Sequence, residues 1–286
     1  MRTLLRFVMC ACAGGLVPAH AQVALPTANP QTQFSSGQDV VPVYEGWLQN
    51  KDGTFTFVFG YFNRNWKEEL AIPAGPENKI EPGAPDRGQP TYFLPRRQSW
   101  VFRVTVPKDW GPTQDLIWTI TAHGRTEKAY AQLLPEYQIL ERLIMTRGNL
   151  NPGEDDPNKP PSISIAPITP ATVGAPVTLT ALVTDDGLPK PRPPRKPREG
   201  VFPPAQTNNA TERPKPGLAV SWFAYRGPAK VTFDTTGQIP VTNGQAVVTA
   251  HFSAPGAYVL QAVATDGALQ VRVDVPITVQ GGEARP

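Results

Sequence analysis

The stretch Thr54-Phe-Thr-Phe-Val-Phe-Gly-Tyr-Phe62 decides the fold class. Side chains alternate with period two along an extended chain, so Phe55, Phe57, Phe59 and Tyr61 share one face while Thr54, Thr56 and Gly60 lie on the other. The pattern returns at Trp100, Phe102, Val104 and Val106, set against Val101, Arg103 and Thr105. It returns again at Leu116, Trp118, Ile120 and Ala122, set against Thr119, Thr121 and His123. Each segment reads as an antiparallel strand with one face in a core and one in water. His123-Gly124-Arg125 reads as the turn into a further strand, Lys128 to Leu133.

Working outward, proline makes up 34 of 286 residues, more than twice the usual share of about 5%, and helical periodicity is nearly absent. The expectation is all-β: two tandem antiparallel β-sandwich domains after a cleaved signal peptide. Residues 1–21 carry the leader pattern, with Arg2 and Arg6, the apolar run Phe7 to Val17, and Ala19-His20-Ala21 as a small-x-small cleavage site. The mature chain is expected to begin at Gln22 and to be exported, periplasmic or extracellular. No later stretch approaches the roughly 20 apolar residues a membrane helix needs, so no transmembrane segment is expected. Cys10 and Cys12 both lie in the leader and fit a lipidation signal poorly. The mature chain then has no disulfide, thiolate metal site or cysteine nucleophile.

The expected order is a flexible lead-in (22–39), an N-terminal β-sandwich domain (40–146), an acidic Pro/Gly linker (147–161), a second sandwich (162–280) and a disordered tail (281–286). Within the first domain, Pro73 to Pro90 reads as a long loop, too polar for a core and a place for function. Tyr137, Leu140 and Ile144 fit a short helix, with a strand as the rival reading.

In the second domain, Pro176-Val-Thr-Leu-Thr-Ala-Leu-Val183 resembles strand B of an immunoglobulin-like fold, with Leu179 where a disulfide cysteine would stand. Val220-Ser-Trp222 resembles strand C with its core tryptophan. Pro255-Gly-Ala-Tyr258-Val-Leu260 resembles the tyrosine corner into strand F, with Leu260 at the second cysteine position. Ala264-Thr-Asp266-Gly267, followed by alternating Val271, Val273, Val275, Ile277 and Val279, resembles the last hairpin of PKD-type and bacterial Ig-like modules. The resemblance implies an immunoglobulin-like sandwich and says nearly nothing about activity. The first domain, with Tyr44-Glu-Gly-Trp47 and Gly60-Tyr-Phe-Asn-Arg-Asn65, is similar to uncharacterised exported bacterial proteins, a likeness that implies no function.

The second domain carries an insertion, residues 187–216, with nine prolines and seven basic residues against Glu199 and Glu212. Lys190, Arg192, Arg195, Lys196 and Arg198 make it a candidate partner-binding arm; a tolerated solvated loop is the competing reading. With Phe202 as the single aromatic among these charges, nucleic acid is not the expected partner. An envelope protein or an acidic polysaccharide fits better. In an immunoglobulin-like sandwich the incoming linker, the B–C loop and the F–G loop lie at one end. There Glu154, Asp155, Asp156, Asp185, Asp186 and Asp266 are candidate Ca²⁺ ligands, although Asp-Gly pairs also serve as plain turn formers.

Trp66 and Trp110 sit at turn-like positions and are the candidates for sugar stacking, while alternation sends Trp100 and Trp118 to a core face. His123 and His251 share strand faces with threonines and read as solvated, and no nucleophile-elbow or phosphate-loop pattern occurs. The sequence reading is therefore a non-catalytic exported binding or scaffold protein, with no cofactor beyond a calcium ion. A carbohydrate-binding module is the alternative, and an exported hydrolase comes third. Oligomeric state does not follow from the sequence.

Overall fold

The computed structural model describes residues 33–149, 155–190 and 217–281. The leader, most of the lead-in, Glu154 in the linker, Arg192, Arg195, Lys196 and Arg198 in the insertion, and the tail beyond Gly281 lie outside the described residues. The chain is all-β, built on two hydrophobic cores. No helix among the described residues is long and apolar enough to cross a membrane.

The first core lies between two three-stranded antiparallel sheets. One orders β1 (Val40–Gln49), β2 (Phe55–Asn63) and β6 (Arg96–Val106), the other β4 (Asn78–Glu81), β7 (Leu116–Ala122) and β8 (Arg125–Ala131). The short strands β3 (Leu70–Ala71) and β5 (Tyr92–Phe93) pair beside them. Phe59 stacks on Phe102 at 5.2 Å between ring centroids, and Trp118 meets Phe102 edge-on at 4.7 Å, the offset and T-shaped geometries that aromatic quadrupoles favour. His123 and Gly124, both at positive φ, form the two-residue turn of the β7–β8 hairpin. The strand after it begins at Arg125, three residues before the sequence expectation.

Three departures from simple alternation have physical causes. β2 is buried on both faces, because a 3-10 turn (Pro135–Tyr137) and the helix α1 (Glu141–Met145) follow the sheet and put Ile144 against Leu48 and Val58. Helix α1 buries Ile144 alone; Tyr137 and Leu140 are exposed. In β6 a bulge opposite Gly60 puts Trp100 at φ 52° and breaks the period, so Val101 joins the main core and Trp100 packs on the outer cluster. The polar segment Pro73–Pro90 is not a loop throughout: it contains β4, with Asn78, Ile80 and Gln89 fully buried, while Glu81 to Asp86 and Gly88 are exposed. The Asn78 amide donates to the Ile72 and Pro90 carbonyls and accepts from the Trp118 indole N–H. Gln89 donates to the Asn78 and Pro85 carbonyls, so polar side chains satisfy backbone groups that a ladder would otherwise serve.

The two unusual runs of the first domain have structural roles. Tyr44 and Trp47 donate to the carbonyls of Gln132 and Leu134, tying β1 to the chain beyond β8. The Glu45 carboxylate pairs with Arg97 at 2.8 Å beside Gly60, where a Cβ would have no room, and burial raises its pKa despite that partner. Asn63 and Asn65, both wholly buried, bond each other, and Asn65 bonds the backbone of Gln38 in both directions.

The second core lies in the immunoglobulin-like sandwich. One sheet orders β13 (Val231–Phe233), β15 (Gln245–Phe252), β11 (Pro176–Thr184) and β9 (Ser162–Ile165). The other orders β10 (Ala171–Thr172), β17 (Gln270–Gln280), β16 (Gly256–Thr265), β12 (Ala219–Arg226) and β14 (Ile239–Pro240). All pairs are antiparallel except β10 with β17, which is parallel. Leu179, Leu260 and Trp222 fill the centre that a disulfide and its tryptophan would occupy. The Tyr258 hydroxyl donates to the Ala254 carbonyl at 2.8 Å, closing the tyrosine corner, and its ring lies so close over Gly227 that a Cβ there would clash.

The cores are not beads on a linker. At the Ala224/Arg226 bulge of β12 the extra residue, Tyr225, turns away from its own sandwich and enters the aromatic core of the first. In return Tyr92 and Leu94 pack on the immunoglobulin-like core. The Thr91 N–H donates to the Tyr225 carbonyl at 3.1 Å, the Tyr225 hydroxyl donates to the Gly88 carbonyl, and the Gly227 N–H donates to Thr91 Oγ1. Arg226 grips both Asp86 oxygens, at 3.1 and 2.6 Å.

This seam makes two predictions. Tyr225→Ala empties a fully packed site, a loss of about 3–5 kcal/mol for a large aromatic, and calorimetry should resolve one cooperative unfolding transition of the wild type into two. The Arg226 guanidinium holds the Asp86 carboxyl below the usual aspartate range. Its contribution is therefore present above the unfolded aspartate pKa and lost as pH falls through the depressed folded value. Asp86→Asn should lower the melting temperature at neutral pH, with the two melting curves converging in acid.

Candidate functional site

Two places bring polar side chains together, and the first is the loop end of the immunoglobulin-like sandwich. Asp185 follows β11, Asp266 lies between β16 and β17, and Asn158 lies on the chain entering β9. The Asp266 Oδ1 accepts from the N–H groups of Ala268 and Leu269, both at 2.7 Å, which pins the carboxylate inside its loop at 5% exposure. Asp185 Oδ2 accepts from the Gly187 N–H at 3.0 Å. Asp186 spends both oxygens, on the N–H groups of Leu188 and Lys159. Asp156 Oδ1 accepts from the Asn158 N–H, and Asp155 is exposed.

Asp185 Oδ1, Asp266 Oδ2 and both side-chain polar atoms of Asn158 are buried with no hydrogen-bond partner. Burial raises the Asp185 pKa, and the charges of Asp266 and Asp186 raise it further. Among the described residues no three His, Cys, Asp or Glu side chains stand together as a metal-holding group. Of the acidic positions singled out in the sequence, Asp185 and Asp266 are thus the pair that couple with unanswered oxygens. Asn158, an amide in a run of acids, was missed because a single Asn beside prolines reads as a turn residue.

The second place is a cleft of about 580 Å³ at the seam, lined by Trp100, Arg103, Glu141, Gln261, Arg272 and Asp274 among others. Arg103 and Glu141 form a two-bonded pair at 2.8 and 2.6 Å. Arg272 Nη1 donates to the Val101 carbonyl at 3.3 Å and to Gln261 Oε1 at 3.0 Å, while Gln261 donates to Asp274. Burial lowers the Arg272 pKa, and Asp274 works in the opposite direction. Among the described residues no carboxylate comes within ion-pair distance of Arg272, and its Nε and Nη2 have no protein acceptor. A half-buried guanidinium with open donors is a ready receptor for a carboxylate. Sequence reasoning passed over it because an arginine between valines on a strand reads as solvent-facing; here the first sandwich covers that face.

The remaining sequence candidates are accounted for locally. Arg96 lies over the Trp66 ring at 4.2 Å, and Trp110 packs against Phe57 and donates to the Gln114 carbonyl, so both supposed stacking platforms are half-buried in protein contacts. His123 Nε2 lies 3.1 Å from Glu68, and His251 is exposed on β15. Lys190 is exposed at the start of the insertion.

No family model matches the chain, and no curated protein matches it. Among solved structures it is similar to a conjugative transposon lipoprotein from Bacteroides eggerthii DSM 20697, at 11% identity and a TM-score of 0.26, over 41% of this chain and 96% of that one. It is also similar to a chimeric titin Z1Z2-Z1Z2 tandem, at 12% identity and a TM-score of 0.24, over 83% of this chain and 93% of that one. The D00-D0 domain of intimin matches at 11% identity and a TM-score of 0.26, over 84% of this chain and 99% of that one. Likeness at these scores carries no functional reading.

Proposed function

We propose that the chain is a non-catalytic exported binding protein of the cell envelope or extracellular space, whose two fused sandwiches hold an acidic polysaccharide at the seam cleft. The observation that supports this is Arg272: a half-buried cation with open donors on the floor of a cleft that also offers the Trp100 ring. A uronate presents a planar carboxylate to the guanidinium fork and an apolar sugar face to an aromatic ring. The seam contributes rigidity, because a site built across two packed sheets needs little ordering when ligand arrives. The insertion 187–216, with Lys190, Arg192, Arg195, Lys196 and Arg198, adds non-specific attraction to the same polyanion.

Calorimetric titration of the protein starting at Gln22 with oligogalacturonate tests the reading. Arg272→Gln should weaken binding at least about tenfold, the scale of one lost charge-assisted hydrogen bond, and Arg272→Lys should restore part of it. Neutralising the five basic positions of the arm should reduce the salt dependence and leave high-salt binding nearly unchanged. No titratable binding by the wild type, or equal binding by wild type and Arg272→Gln when both melt normally, would overturn the proposal.

A further inference from the structure

Going beyond that reading, we propose that Asp185, Asp266 and Asn158 hold one Ca²⁺ ion at the loop end of the immunoglobulin-like sandwich. Each carboxylate is fixed by a backbone N–H on one oxygen and keeps the other, Asp185 Oδ1 or Asp266 Oδ2, buried without a donor. Neither group can turn its bare oxygen to water without giving up the bonds that shape its loop. Two anions held in such a position repel each other, and a divalent cation between them would remove that repulsion.

The independent observation is Asn158, 4% exposed, with an amide oxygen that meets no donor. Its chain is fastened to this same loop end: its own N–H bonds Asp156, and the N–H of the next residue bonds Asp186 Oδ2 at 3.0 Å. A single cation placed between the two carboxylates and this amide would answer all three oxygens, where a hydrogen-bond donor would answer only one.

The donor set selects the ion. It is oxygen only, with two carboxylates and one amide on irregular loops, which suits a hard cation that accepts six to eight ligands in loose geometry and completes its shell with water. Mg²⁺ demands a near-ideal octahedron that three loops of different origin do not offer. With two formal charges from the protein, the expected dissociation constant is about 10⁻⁴–10⁻³ M, the range of extracellular modules.

Thermal unfolding of the protein starting at Gln22, in millimolar Ca²⁺ and in chelator, tests the site. At a calcium concentration tenfold above the dissociation constant, the melting temperature should rise by about 3–6 °C, and Mg²⁺ at the same concentration should give much less. Asp266→Asn keeps an oxygen for the Ala268 and Leu269 N–H groups while removing the charge. It should abolish the calcium response and raise the melting temperature in chelator, a pair of opposite effects that a purely structural aspartate would not produce. Asn158→Ala should reduce the response without that gain. Equal melting of the wild type in Ca²⁺ and chelator, an equal response to Mg²⁺, or an undiminished response in both variants would overturn the site. None of these outcomes touches Arg272, so failure here and failure of the polysaccharide reading are distinguishable.

Discussion

The structure turns on one residue placed in the wrong core. Tyr225 belongs by sequence to strand β12 of the immunoglobulin-like sandwich, yet its side chain fills the aromatic interior of the other sandwich. A one-residue bulge accomplishes this, and the consequences spread in both directions. The outer face of the β12–β16–β17 layer becomes an interior surface, so Gln261 is buried and Arg272 half-buried where an isolated sandwich would leave both in water. The segment from Asp86 to Leu94 must follow the bulge closely enough to supply Thr91, Gly88 and Asp86 as its partners. The cleft exists because two sheets meet here without closing.

A second constraint governs the first sandwich, which has short sheets and long irregular connections. Backbone groups in such connections must be answered by something other than a ladder, and here asparagine and glutamine side chains answer them. Asn63, Asn65, Asn78 and Gln89 are wholly buried and bonded to carbonyls or to one another. Polar composition in the described residues therefore marks interior scaffolding as well as exposed surface, and composition alone does not separate the two.

The sequence made the fold class legible because its signals are local. Alternation in β11, the tyrosine corner at Tyr258 and the leucines at 179 and 260 each report their own environment within a few residues. What stayed hidden depends on pairing across long separations. The outer burial of Val58 requires a helix more than eighty residues away, and Trp100 changes face through a bulge that no pattern announces. The same limit applies to the sites. Asp185 and Asp266 were visible as carboxylates on converging loops, whereas Asn158 and Arg272 acquire their character only from neighbours distant in the chain.

The seam also bears on how such a chain can change over generations. A domain can be exchanged as an independent block only if its own core leaves it stable alone. Here a fragment encoding the second sandwich by itself would display Tyr225 and Val259, and one encoding the first would leave Tyr92 and Leu94 without their packing partners. Recombination at the linker would thus produce two sticky halves, and the heritable unit is the pair.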